Sequence, residues 1–295
     1  MIDMHNKTVV VTGANSGVGF VTAKQLAQAG AEIVMVCRDP ERGETARAQI
    51  AEIAAGPAPQ LFIADLSSQE QIRDVARDLH LAYDRTDALL NNAGSVFNKG
   101  ARSIDGIEKT FATNHLAPFL LTNLLQDLLL AAPAARVVTV ATEIYSRKLD
   151  FENLQGERSY NFFKAYQQSK LCNVLFAFEL ARRLDGTKVT SNVVSPGPSK
   201  TGFGANMTGP AHTFTRIMKA TPRFGTPEKG ARTLVYAITD PEIEGVSGHF
   251  YYKEKELATK PVTRNTEIAT HLWQISEEMC GLGQGAQEDA PALSA

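Results

Sequence analysis

Tyr166-Gln167-Gln168-Ser169-Lys170 sets a phenol and an ammonium four residues apart, a spacing that puts both on one face of a helix. A free tyrosine titrates near about pH 10 and is a poor base at neutrality. An ammonium held nearby favours the phenolate, and about 1.4 kcal/mol of such preference lowers the pKa by about one. A tyrosine tuned in this way can give a proton to an alkoxide or take one from an alcohol. Lys170 can also hold a ribose. The same spacing recurs at Tyr160-Asn161-Phe162-Phe163-Lys164. Tyr166 is preferred, because its helix continues through Leu171-Cys172-Asn173-Val174-Leu175. Tyr160 adjoins the polar segment 152–159, where packing or capping is the plainer use.

A second chemistry sits near the start of the chain. Thr12-Gly13-Ala14-Asn15-Ser16-Gly17-Val18-Gly19 lies between a β-branched run and a helical pattern. Glycines there allow a tight turn and close approach to a pyrophosphate at the helix N-terminus. Gly13, Asn15, Ser16, Gly17, Val18 and Gly19 are the candidate phosphate-side residues. After the second apolar run, Cys37 stands where an acid would hold the ribose of NAD. Arg38 follows and suits the 2′-phosphate of NADP(H). Asp39 one residue on keeps NAD(H) as the alternative, although Asp39-Pro40 also reads as a helix N-cap. Asp65 and Leu66 fall where an adenine would lie, and Asn92, Ala93 and Gly94 leave room for cofactor against backbone. These features end successive strands, where ligands of open parallel sheets bind.

The elements that must position these groups alternate along the chain. Strands are expected at Thr8-Val9-Val10-Val11-Thr12, Ile33-Val34-Met35-Val36, Leu61-Phe62-Ile63, Ala88-Leu89-Leu90, Val137-Val138-Thr139-Val140, 189–194 and Gly248-His249-Phe250-Tyr251. Helical patterns lie between them: one ends at Gly30, one opens at the capping box Ser67-Ser68-Gln69-Glu70, one runs over about 105–130 with an irregularity near Pro118, and one over about 162–184. This alternation predicts a single-domain α/β fold of Rossmann type, a doubly wound parallel sheet of about seven strands flanked by helices on both faces. One domain is expected over 1–282, with a polar, disordered tail at 283–295.

At this point the chain resembles the short-chain dehydrogenase/reductase family over roughly residues 5 to 255. The match rests on glycines 13, 17 and 19, Asn91-Asn92-Ala93-Gly94, Tyr166 with Lys170, and Pro196-Gly197 followed by Thr201. Cys37-Arg38-Asp39, Asn114-His115-Leu116 and Ser169-Lys170-Leu171-Cys172-Asn173 resemble its retinol-dehydrogenase-like branch. The resemblance implies that Asn114 supports a water relay to Lys170. It also implies that Pro196, Gly197, Thr201 and the backbone near Val194 bind the cofactor. Serine is usual as the third catalytic residue after the fifth strand. Here Thr142 occupies that place, and its hydroxyl can make the same bond despite a stiffer, bulkier side chain.

The implied reaction is hydride transfer between NADP(H) and a carbonyl or alcohol carbon. A dehydratase or isomerase on the same scaffold, or a silent NADP-binding regulator, are the competing readings. Apolar residues in two connections, Tyr145, Leu149, Phe151, Phe162 and Phe163 in 143–165 and Phe203, Met207, Phe214, Ile217 and Met218 in a lid at 202–224, suggest a lipophilic small-molecule substrate. The helix after Lys170 is apolar on several sides, so a homodimer or homotetramer is expected. A net charge of −2 gives no reason to expect nucleic acid. Cys37, Cys172 and Cys280 show no metal-ligand spacing and read as free thiols of a cytoplasmic protein. Met1-Ile2-Asp3-Met4-His5-Asn6-Lys7 has no secretory pattern, and polar residues interrupt the apolar region 119–140, so no transmembrane segment is expected.

Overall fold

Val9, Val10 and Val11 are wholly shielded from solvent, because their strand, β1 (Thr8–Thr12), lies inside a sheet covered on both faces. The structure is a computed structural model and describes residues 3–97, 100–198 and 225–282. Around β1 are β2 (Glu32–Cys37), β3 (Gln60–Ile63), β4 (Ala88–Asn91), β5 (Ala135–Val140), β6 (Val189–Ser195), β7 (Phe250–Tyr252) and β8 (Lys255–Glu256), in the order β3-β2-β1-β4-β5-β6-β7-β8. The pairs from β3 to β7 are parallel, and β8 returns antiparallel to β7. This eighth strand was not expected. Its tight turn uses Lys253 and Glu254 at φ 52° and 57°, residues that carry no glycine or asparagine turn signal.

The helices lie on the two faces. On one, α1 (Gly17–Gln28) packs against α8 (Pro227–Thr239), and Val9, Val11, Leu26, Leu90 and Leu234 form a common core. On the other, α3 (Gln69–Ala82), α5 (Ala117–Leu124), α7 (Phe162–Arg183) and α9 (Thr266–Met279) bury Val10, Leu89, Phe119, Leu175 and Trp273. α2 (Pro40–Ala51) starts at Pro40, and the Asp39 carboxylate accepts from Arg42 N at 3.0 Å, so Asp39 does serve as an N-cap. At α3 the cap is Ser68, while the Ser67 hydroxyl donates to Asp65 instead.

The region expected as one helix over 105–130 is divided. Glu108 accepts from Thr110 N and Phe111 N and opens α4 (Lys109–Phe111). A π-helical turn, Ala112–Leu116, follows, then α5 and α6 (Gln126–Leu130). The irregularity therefore precedes Pro118, and it holds Asn114. α7 is capped by Asn161, which accepts from Phe163 N and Lys164 N. Its surplus apolar side chains meet α9 within the chain: Trp273 stacks on Phe176 at 5.9 Å and Arg183 lies 4.2 Å over the Trp273 ring. That surface is covered and carries no argument for a homodimer or homotetramer. Among the described residues no helix is long and apolar enough to cross a membrane.

Candidate active site

The strand order reverses between β1 and β4, and the glycine turn leaves β1 at that point. Gly13 and Gly17 have φ of +68° and +59°, conformations in which a side chain is strained. α1 begins with no acidic residue in its first turn, and the Ser16 side chain makes no capping bond. Its first N–H groups thus face the crevice with a positive dipole end. Asn15, Ser16 and Gly17 are half-buried at the rim, whereas Val18 is buried under them.

The turn is tied to β4 by two side chains. Thr12 Oγ1 accepts from Asn92 N and Ala93 N, each at 3.0 Å, and Asn92 Nδ2 donates to Thr12 O at 2.8 Å and to Gly13 O at 3.3 Å. Asn92 accordingly fixes the phosphate-side loop from beneath. Arg38 is exposed beyond β2, while Cys37 is 2% exposed and its thiol is pushed up to about 11, chiefly by burial. Asp65 accepts from Ser67 N and Oγ. These bonds, with the Lys109 and Arg38 charges nearby, outweigh its burial and hold its carboxyl below the ordinary value. Leu66 packs on the core beside it. These groups fit a dinucleotide: an open helix N-terminus for the pyrophosphate, an exposed guanidinium for a 2′-phosphate and a polar turn at the adenine end.

The proton-handling residues converge next to Gly94. A methyl group built on Gly94 would lie 3.4 Å from Asn114 Oδ1 and 3.5 Å from Lys170 Nζ. Asn114 accepts from Ser95 N at 2.7 Å and donates to Ser95 O at 2.9 Å and Ser169 Oγ at 3.0 Å. Its side chain therefore braces the loop after β4 against α7. Lys170, 4% exposed, donates to Val140 O at 2.9 Å, and Asn173 Nδ2 reaches the same carbonyl at 3.2 Å. Burial lowers the Lys170 ammonium to about 8.

Tyr166 is half-buried on α7, with Lys170 Nζ 6.0 Å from its ring centre. Burial pushes its phenol well above the ordinary tyrosine value, and the Glu143 carboxylate adds to the effect. The four-residue spacing places the ammonium correctly but says nothing about how much protein encloses the phenol. The rival Tyr160 is engaged elsewhere, donating to Phe97 O at 2.6 Å and Glu108 Oε1 at 3.3 Å.

Thr142 lies just past β5, half-buried; Ile144 N donates to its Oγ1 at 3.4 Å, and that oxygen lies 3.5 Å from Glu143 Oε2. Pro196 and Gly197 follow β6, with Gly197 at φ +70°. Thr201 and the lid at 202–224 lie outside the described residues, as does the tail at 283–295. Of the apolar residues placed in 143–165, Tyr145 is buried and stacks on Phe250 at 6.1 Å, and Leu149 and Phe151 pack on the core. Phe163 is exposed at the α7 end, and so is Ile144, which was not singled out from the sequence. Thr12, Ser95, Ser169, Glu143 and Ser195 also belong to the site. Their partners lie far away in sequence, and only the position of Thr12 before the glycine turn offered a hint.

A doubly wound parallel sheet with a glycine turn at its switch point, and a tyrosine and lysine on the helix beside it, defines a nucleotide-dependent oxidoreductase scaffold. Similarity to known proteins makes this specific: the chain belongs to the short-chain dehydrogenase/reductase family, whose profile, described as short chain dehydrogenase, matches residues 7–210. Within the family it falls in the retinol-dehydrogenase-like branch. It is 41% identical over 293 residues to retinol dehydrogenase 14 of Mus musculus, covering 95% of this chain and 87% of that protein. It is 36% identical over 289 residues to polyprenol dehydrogenase of Homo sapiens, covering 94% and 86%. The crystal structure of an uncharacterized protein from Mycobacterium paratuberculosis superposes with a TM-score of 0.75 at 29% identity, covering 95% of this chain and 96% of that one.

Proposed function

We propose that this oxidoreductase uses NADP(H) to interconvert a lipophilic carbonyl compound and its alcohol, with Tyr166 carrying the proton. The observation that carries the reading is the convergence of Lys170, Asn114 and the glycine-backed gap at Gly94 beside the phenol-bearing face of α7. Gly13, Ser16, Gly17 and Gly19 would hold the pyrophosphate, Arg38 the 2′-phosphate, and Asp65 with Leu66 the adenine. Asn92, Ala93, Gly94, Pro196 and Gly197 would border the nicotinamide half. The bound nicotinamide supplies a hydride donor or acceptor.

The chain's own residues then manage the proton. The raised phenol of Tyr166 stays protonated through neutral pH and can donate from Oη to the oxygen of a carbonyl being reduced. Thr142 Oγ1 can hydrogen-bond the same substrate oxygen and fix its place. Lys170, held by Val140 O, brings positive charge to the developing oxyanion, and Asn114 keeps α7 and the loop after β4 in register. Exposed Ile144 and Phe163 border Thr142 and Tyr166 along the chain, which favours an apolar substrate. The names of the retinol and polyprenol dehydrogenase relatives point the same way. Three buried, unpaired cysteines suit a reducing compartment, and we assign the protein to the cytoplasm on that ground.

NADPH oxidation with a panel of lipophilic aldehydes and ketones tests the reading. Turnover should occur in the parent and fall at least about 100-fold in Tyr166→Phe, with NADPH affinity retained. Product formation without NADPH oxidation would replace the reductase by a non-redox enzyme, and full activity in Tyr166→Phe would remove the tyrosine from the mechanism.

A further inference from the structure

Tyr252 closes β7 beside Ser195, its partner in register at the end of β6. Pro196 and Gly197 leave β6 at that point, and the half-buried ring of Tyr252 lies against Gly197. A methyl carbon at Gly197 would stand 3.1 Å from Tyr252 Cε2 and 3.6 Å from its hydroxyl oxygen, so the bare Cα of glycine is what lets the ring come this close. Gly197 N donates to Ser195 Oγ at 3.1 Å, and that hydroxyl donates to Glu143 Oε2 at 2.7 Å. The turn is thus held from within by a serine and from the side by an aromatic ring.

The ring has supports of its own. Lys253 Nζ lies 5.0 Å over it, and Glu254 is paired with Arg232 of α8 at 3.1 Å. Lys253 and Glu254 turn the chain into β8 at φ 52° and 57° without glycine or asparagine. Such residues cost free energy in that region and persist where their surroundings over-determine them, often next to a working site.

We propose that Tyr252 is a positioning residue of this site: carried by the β7–β8 hairpin, its ring presses on Gly197 and fixes the Pro196–Gly197 turn in the conformation that receives the nicotinamide half of the cofactor. The proposal rests on the reading of that turn as cofactor-binding. Its physical basis is that a turn ordered before binding loses less freedom when the nicotinamide half settles on it. The nearest atom of Tyr252 is a ring carbon rather than the hydroxyl oxygen, so phenylalanine should serve in its place and a small residue should not.

Tyr252→Thr removes the ring and keeps a strand-forming side chain on β7. Amide hydrogen exchange, followed by NMR in the cofactor-free protein, reads the turn directly. The Gly197 amide should exchange about 10-fold faster in Tyr252→Thr and at the parent rate in Tyr252→Phe. The Val193 amide, which donates to His249 O at 2.8 Å across the same pair of chain segments, should keep its parent rate in both. An unmoved Gly197 amide, or one that speeds up together with Val193, overturns the role of the ring. Titrations then ask what the order is for. Tyr252→Thr should bind NADPH about 5-fold more weakly, and adenosine 2′,5′-bisphosphate, which lacks the nicotinamide half, within about 2-fold of the parent. Equal losses for both ligands, or none for NADPH, overturn the link to the nicotinamide end. A parent chain that binds no NADPH would end the cofactor reading of the turn, while the exchange rates still decide for or against Tyr252.

Discussion

An alanine at position 19 would test whether the glycine turn is built as the structure shows. Its methyl carbon would lie 2.3 Å from Asn92 Nδ2 and 2.6 Å from the Gly13 carbonyl oxygen, against an ordinary contact of about 3.5 Å. Asn92 would have to retreat by about 1 Å, giving up its bonds to Thr12 O and Gly13 O. Each lost bond costs about 1 kcal/mol, and crowding at the helix start costs about 1–3 kcal/mol more. A loss of about 4 kcal/mol in a domain of this size lowers Tm by about 10 °C. Gly94→Ala is the contrast. Its methyl would meet neighbours only from 3.4 Å outward, so the folded chain can accept it. That methyl would instead intrude beside Lys170, where the cofactor is to lie. Scanning calorimetry and NADPH fluorescence titration should find a lowered Tm and weak binding for Gly19→Ala. For Gly94→Ala they should find a parent-like Tm with affinity reduced about 10-fold or more. A Gly94→Ala protein that binds NADPH like the parent would refute this placement of the nicotinamide end.

Thr142→Ser should match or exceed the parent in kcat, because it keeps the hydroxyl and sheds the methyl. Thr142→Ala should lose about 100-fold, and equal rates for Thr142→Ala and the parent would remove Thr142 from the chemistry. Arg38→Leu should weaken NADPH about 10- to 100-fold and leave NADH affinity unchanged, so a parallel loss of both would place the 2′-phosphate elsewhere. The buried Lys170 ammonium costs the fold stability. The folded chain releases this proton near 8 and the unfolded chain near 10.5, so the unfolded state binds the extra proton between those values and stability rises with pH across that window. Below it the full penalty of about 3 kcal/mol is present. Lys170→Met should therefore melt higher than the parent at pH 7, with Val140 O still satisfied by Asn173, while losing activity. A lower Tm in that variant would contradict the buried-ammonium account.

Much of this architecture was readable from residue order. Val9-Val10-Val11 and Val34-Met35-Val36 read as strands buried on both faces, and the glycines after β1 point to a turn that suits a dinucleotide. Helical spacing predicts Tyr166 and Lys170 on one helix, and both lie on α7. The rise of the Tyr166 phenol was not legible there, because burial by distant segments and the charge of Glu143 supply it. Glu143 itself gave no signal, since its partner Ser195 lies on another strand. Thr12 meets Asn92 and Ala93 only once β1 and β4 lie side by side. The π-turn around Asn114 was hidden for another reason: Phe111, Leu116, Phe119, Leu120 and Leu121 are all buried, so no polar stripe marks the change of period.

That turn has a consequence for how the protein tolerates changes in length. A π-turn holds one residue more than an α-turn, and Ala112–Leu116 carries the surplus in the interior, where insertions are normally expelled. Excising Thr113 would let the backbone relax into an orderly α-helix with its flanks close to their present register, while changing the direction of the side chains inside the turn. Asn114 would swing away from Ser95 and Ser169. A single deletion would thus make the helix more regular and take Asn114 from its partners, so this buried irregularity does not tolerate the shortening that an exposed turn would accept.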